Sequence, residues 1–244
     1  MIININYFFG LIKLREVYFE NLPISGSDHN DVDIIRFVQC RGLQSEFDNN
    51  FFSTSICFSM LAVDIFNQFK KGLRYDIKKE LEYISRNDLV FFEPNAVTNT
   101  VMKPLIGYLN TFQISRHLPR INKRKLMKLA HLNKLAISFI KKEDSILNYH
   151  VYLFDEPSGK VRLLYSFNVK SDFLSVNKVH TWFDIQKFQA MGMCEYDFGG
   201  ISSFDQPNGI DRFKLSFGGS RDEYHTAYRA CSLVGRIVMA VKGL

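Results

Sequence analysis

Two runs of strand-forming residues, 150–155 and 160–168, are joined by Glu156-Pro157-Ser158-Gly159, and this pairing constrains the fold more than any other stretch of the chain. Proline and glycine at the junction supply turn chemistry, so the spacing predicts an antiparallel hairpin. Regular elements flank it. Residues 121–133 repeat Ile121, Leu126, Leu129 and Leu132 at helical spacing with basic residues opposite, and 134–141 then reads as a strand. After the hairpin, 176–191 carries Val179, Phe183, Phe188 and Met191 on a helical pattern and meets Gly192, where a helix-terminating glycine belongs. A strand over 194–198 follows and ends in Gly199-Gly200; a final strand pair is expected within 223–241. This order predicts an α/β fold with a mixed, mostly antiparallel sheet flanked by helices.

The first half is less regular. Short apolar segments at 2–9 and 33–39 precede two helical patterns, 51–72 and 76–83. Pro94, Asn99 and Pro104 interrupt regular structure, which places a hinge at 94–110 and divides the chain into an N-terminal α/β region, 1–110, and a C-terminal core, 111–244. With 46% hydrophobic residues and 14% aromatic, the 244-residue chain has the apolar surface to fold, which excludes disorder. Cys40, Cys57, Cys194 and Cys231 form no CxxC pair, so neither a zinc site nor a disulfide framework is expected, and no metal. Residues 1–10 lack the basic start of a secretory signal, and the longest apolar run, 51–66, is interrupted by serines, Thr54 and Asp64. No membrane span and a cytoplasmic location are expected. The net charge of +6 suits a polyanionic partner and equally suits simple solubility.

A more specific signal lies near the end of the core. Tyr196-Asp197-Phe198-Gly199-Gly200 is followed by Gly209-Ile210-Asp211-Arg212-Phe213-Lys214-Leu215-Ser216-Phe217-Gly218-Gly219. The pair resembles the signature of the FemAB-like branch of the GNAT superfamily of N-acyltransferases. Upstream, Thr111-Phe112-Gln113-Ile114 and the basic segment 120–130 resemble that family's strand and following helix, so the resemblance covers 111–219. It implies a GNAT-like acyltransferase core beside a smaller GNAT-like or degenerate N-terminal half. It also implies transfer of an acyl group to an amine, from acyl-coenzyme A or from aminoacyl-tRNA. Shorter relatives resemble enzymes that acylate amino sugars, including nucleotide-linked ones. The leading expectation is therefore acylation of a dTDP- or UDP-linked amino sugar by acyl-coenzyme A, by direct attack, in bacterial surface polysaccharide synthesis. The alternatives are aminoacyl-tRNA-dependent transfer of the FemAB peptidoglycan type and a non-enzymatic nucleic-acid-binding module on the basic stretch 116–134.

Amine attack on an acyl carbonyl calls for a base near neutral pKa and for hydrogen-bond donors at the developing oxyanion. His150, read as emerging from a turn, ranks first as base; His180, one turn into the long helix, ranks second, and Asp197 is a third candidate. Tyr149, Gly199, Gly200 and Lys214 are placed at the substrate. Lys214 offers a point charge beside backbone that glycine leaves bare, although the two glycines also read as relief of a strand bulge and Lys214 as a surface lysine. The family's usual phosphate-cradling glycine loop is missing at 168–175, which leaves Lys170, Ser171 and Ser175, or Arg120 and Arg124 in the basic segment, to hold the donor phosphates.

Overall fold

The computed structural model describes residues 1–7, 10–19, 31–40, 49–61, 64–97, 99–115, 117, 120–168 and 176–243. In chain order the elements are β1 (Ile2–Tyr7), β2 (Ile12–Tyr18), β3 (Ile34–Cys40), β4 (Asn49–Ser59), α1 (Lys71–Arg86), β5 (Val90–Ala96), α2 (Asn99–Ser115), α3 (Lys123–His131), β6 (Leu135–Lys142), β7 (Ser145–Asp155), β8 (Lys160–Asn168), α4 (Asn177–Ala190), β9 (Glu195–Gly200), α5 (Gly209–Ser216), β10 (Ser220–Ala230) and α6 (Leu233–Lys242). They form two compact units, one of residues 1–55 with 222–244 and one of residues 56–221. The expected hinge at 94–110 lies inside the second unit.

In the first unit β1 and β2 make an antiparallel pair, β2 runs parallel to β3, and β3 pairs antiparallel with β10. Val17, Ile35, Phe37 and Ala227 bury a small core there. The second unit holds the larger core and the strand order β9-β8-β7-β6-β5. The expected hairpin is β7 and β8, with a single 3-10 turn at Glu156–Ser158 and Gly159 at φ +63°. Strand alternation sends neighbouring side chains to opposite faces. His150 of β7 stacks on His180 of α4, whereas Tyr149 packs on Phe167, which meets Phe112 of α2. Helices α4 and α2 therefore cover opposite faces of this sheet, and the expected fold class is the one observed.

Four local expectations are corrected. Residues 51–59 belong to β4 rather than a helix. The sequence Phe52-Ser53-Thr54-Ser55-Ile56-Cys57-Phe58 also alternates with period two and is rich in β-branched and aromatic residues. The interruption expected at 99–110 is the helix α2, and Thr111–Ile114, expected as a strand, continues that helix. Buried Met102, Leu105, Ile106 and Leu109 recur at helical spacing. Their burial, worth about 1.5–3 kcal/mol each, outweighs the roughly 3 kcal/mol of an internal proline. Finally, 233–242 is α6 rather than a strand. Ser232 accepts the Gly235 N–H as its N-cap, and Gly243 at φ +65° closes it.

Gly218 fixes the end of α5. Its φ is +80°, and a Cβ built there would stand 2.7 Å from the Gln68 carbonyl oxygen. Gly218→Ala is expected to cost about 2–3 kcal/mol, combining left-handed strain with a backbone clash. Urea denaturation measures it; a shift below about 0.5 kcal/mol would show that the turn at Gln68 yields freely.

Candidate active site

Strands β8 and β9 run parallel and pair only from Lys160↔Glu195 to Arg162↔Asp197, after which β8 continues to Asn168 and β9 to Gly200. Two parallel strands that part in this way leave a fork between them. Gly199, at φ +78°, turns β9 at this point, and its N–H donates to Asp197 Oδ1 at 2.6 Å. Lys214 on α5 reaches the same place, its Nζ donating to the Gly200 carbonyl at 2.5 Å. Arg162 Nε stands 3.7 Å from Asp197 Oδ2. Burial pushes the Lys214 pKa below the usual lysine value; Asp197 and Asp211 oppose the shift, and Arg162 adds to it. The fork thus collects two cations and one carboxylate beside glycine backbone.

The loop leading into α5 is tied down locally. Asn208 Oδ1 accepts the Asp211 N–H at 2.9 Å while Asp211 accepts the Asn208 N–H, a reciprocal capping box, and Asp211 also receives the hydroxyl and N–H of Ser202. Lys214 follows Asp211 by one turn on the same helix, so the cap fixes where its stem begins.

Tyr196, next to Asp197 and so on the other face of β9, belongs to a buried polar network. His150, His180, Asp184 and Tyr196 have zero exposure. Asp184 Oδ2 lies 2.7 Å from His150 Nδ1 and accepts the hydroxyls of Tyr152 at 2.5 Å and Ser138 at 2.9 Å; the Tyr152 hydroxyl also meets that of Tyr196 at 3.0 Å. His150 Nε2 faces Asn177 Oδ1 at 2.8 Å, and His180 bonds Asn148 through Nδ1 at 2.5 Å and Ser138 through Nε2 at 2.8 Å. Burial, and secondarily the neighbouring His150, hold His180 well below the usual histidine pKa, so this ring is neutral. Burial also raises the Asp184 pKa against the pull of His150, Tyr152 and Ser138.

The group His150, His180 and Asp184 brings three ligand atoms within 4.8 Å of one another. Its two rings, however, are stacked 3.9 Å apart at an interplanar angle of 11°. Parallel rings aim their lone pairs along parallel planes rather than at one point, which does not fit a metal centre.

The structure therefore separates the sequence candidates into two groups. Asp197, Gly199, Gly200 and Lys214 meet at the fork. His150 and His180 meet in the interior, where every ring nitrogen already has a protein partner, an arrangement suited to positioning β6, β7, α4 and β9 rather than to proton exchange with a substrate. His150 sits within β7, which begins at Ser145, not at a strand entrance, because the strand extends upstream through Ile146 and Leu147. Tyr149 is buried on the opposite face, and its hydroxyl has no hydrogen-bond partner. Arg120 and Arg124 are exposed, the latter on α3; Lys170, Ser171 and Ser175 lie outside the described residues. Arg162 and the Asn208/Asp211 cap escaped the sequence reading. Asn-x-x-Asp before an apolar run was the available sign of the cap; nothing marked Arg162, whose role depends on strand register.

The mixed sheet with helices on both faces is a fold that this chain shares with FemX. The chain superposes on FemX with a TM-score of 0.59 at 10% identity, covering 94% of this chain and 83% of that one. It matches the C-terminal DUF2156 domain assigned to a lysylphosphatidylglycerol synthetase from Agrobacterium fabrum at 0.57 and 10% identity, covering 99% and 88%. Against L-PGS from Bacillus licheniformis the TM-score is 0.52 at 13% identity, covering 86% and 72%. No protein-family model and no curated protein matches the sequence. At these identities the likeness defines the fold.

Proposed function

We propose that this chain transfers an aminoacyl group from aminoacyl-tRNA to an amine, with the reaction at the β8/β9 fork. The observation that carries the reading is the convergence of Arg162, Asp197, Gly199, Gly200 and Lys214 at a parting strand pair, in a fold shared with FemX and lysylphosphatidylglycerol synthetases. The amine nitrogen forms a bond to the ester carbonyl carbon, the ester C–O bond breaks, and the ribose oxygen leaves with a proton. Lys214 and Arg162 supply positive charge where the tetrahedral oxyanion or a donor phosphate sits. The solvent-facing cations Lys123 and Arg124 on α3 suit a polyanionic donor. Acyl-coenzyme A and a nucleotide-linked amino sugar, implied by the sequence resemblance, find no counterpart in these neighbours' names, so the two donors are to be compared directly.

The test incubates the full chain with tRNA charged with labelled amino acids, or with labelled acyl-coenzyme A, and with peptidoglycan-precursor peptides, lipid extract or nucleotide-linked amino sugars as acceptors. Label moving from tRNA and lost on ribonuclease treatment is the expected result; label moving only from coenzyme A would overturn it. In the active assay Lys214→Ala is expected to lower kcat/KM roughly tenfold to a hundredfold, the worth of a charge-assisted hydrogen bond of about 1.5–3 kcal/mol. Wild-type kinetics in that variant would remove Lys214 from the site.

A further inference from the structure

Helix α6 has apolar residues on two opposite sides. One side, Gly235 and Met239, is buried, and Gly235 packs directly against the Asp33 carbonyl. The other side bears Leu233, Ile237 and Val241 at successive turns, with Val234 beside them, and these are 73%, 56%, 82% and 43% exposed. At 100° per residue these four span a continuous arc of about 100°, almost diametrically opposite the buried side. A helix lying on a protein surface in water normally turns charge to that outer side.

The charges lie instead along the flanks. Arg236 follows the apolar arc on one side, past exposed Ala240, and Lys242 on the other, past half-buried Val238; both cations are exposed, and from Tyr224 to Leu244 there is no Asp or Glu. An apolar stripe edged by cations, without acids, is the pattern of a helix that lies in the plane of an anionic bilayer surface, with its apolar side chains among the acyl chains and its cations at the phosphates. A second copy of the chain fits less well, because a symmetric pairing of α6 brings cations near cations with no acidic residue on the helix to oppose them. We propose that α6 docks the protein on an anionic lipid bilayer through Leu233, Val234, Ile237 and Val241, with Arg236 and Lys242 contacting headgroup phosphates. This inference stands independently of the transfer reaction. It involves no membrane crossing, since no helix among the described residues is long and apolar enough to span one.

The test is co-sedimentation of the full chain with vesicles of phosphatidylcholine and phosphatidylglycerol at 70:30, a composition chosen as roughly that of a moderately anionic surface, against pure phosphatidylcholine. The expected result is binding to the anionic vesicles that weakens with salt. It should fall at least tenfold in the Leu233→Gln, Ile237→Gln, Val241→Gln triple variant, and should lose its preference for anionic lipid in Arg236→Gln, Lys242→Gln. All these side chains are exposed, so Tm should hold; if the triple variant melts early, Val241→Gln alone, in the last turn, carries the test. Failure of the wild type to bind, or equal binding by a folded apolar variant, overturns the proposal. So does a dimer seen by light scattering that the triple variant abolishes while vesicle binding is absent, which would assign the stripe to a second copy.

Discussion

Asp184→Ala is expected to destabilise the second unit by about 3–5 kcal/mol, the combined cost of several buried hydrogen-bond donors left unpaired, at roughly 1–3 kcal/mol each, and of a cavity. One oxygen of this carboxyl meets His150 Nδ1, the Tyr152 hydroxyl and the Ser138 hydroxyl, all in the interior, and none of these groups has water to turn to. Alanine leaves the donors unpaired as well as a cavity, and the cost of an unmade buried hydrogen bond exceeds the net worth of a made one. A loss of that size is a large fraction of the total for a domain of this length, so Asp184→Asn serves as the second variant. It keeps an oxygen for Tyr152 and Ser138 while replacing the other carboxyl oxygen with an amide, and should cost about 1–2 kcal/mol. Ser138→Ala, which deletes one hydroxyl between Asp184 and His180, should cost about 1 kcal/mol. Chemical denaturation followed by circular dichroism gives all three values. If Asp184→Ala loses less than about 1 kcal/mol, the network contributes shape rather than stability.

The same network shows where sequence reasoning stops. The hairpin, α3, β6, α4 and β9 were legible because each is a local pattern: a turn with proline and glycine, an apolar period of three to four, an alternation ended by two glycines. His150 and His180 could be singled out by residue type as base candidates, but their partnership depends on β6, β7 and α4 meeting in space. His180 and Asp184, four apart on one helix face, and His150 and Tyr152, two apart on one strand face, were the local traces of it. Neither spacing reveals that the two faces meet, nor that their meeting is sealed from water. The fork was half legible. Asp197, Gly199, Gly200 and Lys214 fall within one motif, whereas Arg162 comes from a different strand and is brought in only by the parallel register Arg162↔Asp197. The misread segments have separate causes: the Phe-Ser-Thr-Ile run of β4 satisfies both periods, in α2 the burial of Met102, Leu105, Ile106 and Leu109 overrides Asn99 and Pro104, and in the short Val-rich α6 tertiary burial decides the period.

A second partnership invisible in sequence joins Glu80 of α1 to the start of α4, 99 residues away, where Glu80 Oε2 accepts the Val179 N–H at 2.9 Å. Helix α4 has no side-chain N-cap and no acidic residue in its first turn, so Glu80 supplies from outside the acceptor that the local sequence lacks. That position draws the charge in two directions. Bonds from Val179 and Lys178 and the Lys178 ammonium favour the carboxylate, but burial outweighs them and lifts the Glu80 pKa from 4.5 to about 7. The folded protein therefore binds more protons than the unfolded chain between pH 4.5 and 7. The associated stability is fully present below pH 4.5 and lost as pH rises to about 7, a total of roughly 3 kcal/mol. Glu80→Gln retains an oxygen to accept the Val179 N–H and cannot ionise. At pH 4.5 the variant and the wild type should unfold at similar urea concentrations, whereas at pH 8 the variant should be the more stable by up to that same roughly 3 kcal/mol. Other carboxylates titrate alike in both proteins, so the difference between them isolates Glu80. A difference that stays flat from pH 4.5 to 8 would mean that water reaches the carboxylate at the N-terminus of α4 and that its charge is not buried there.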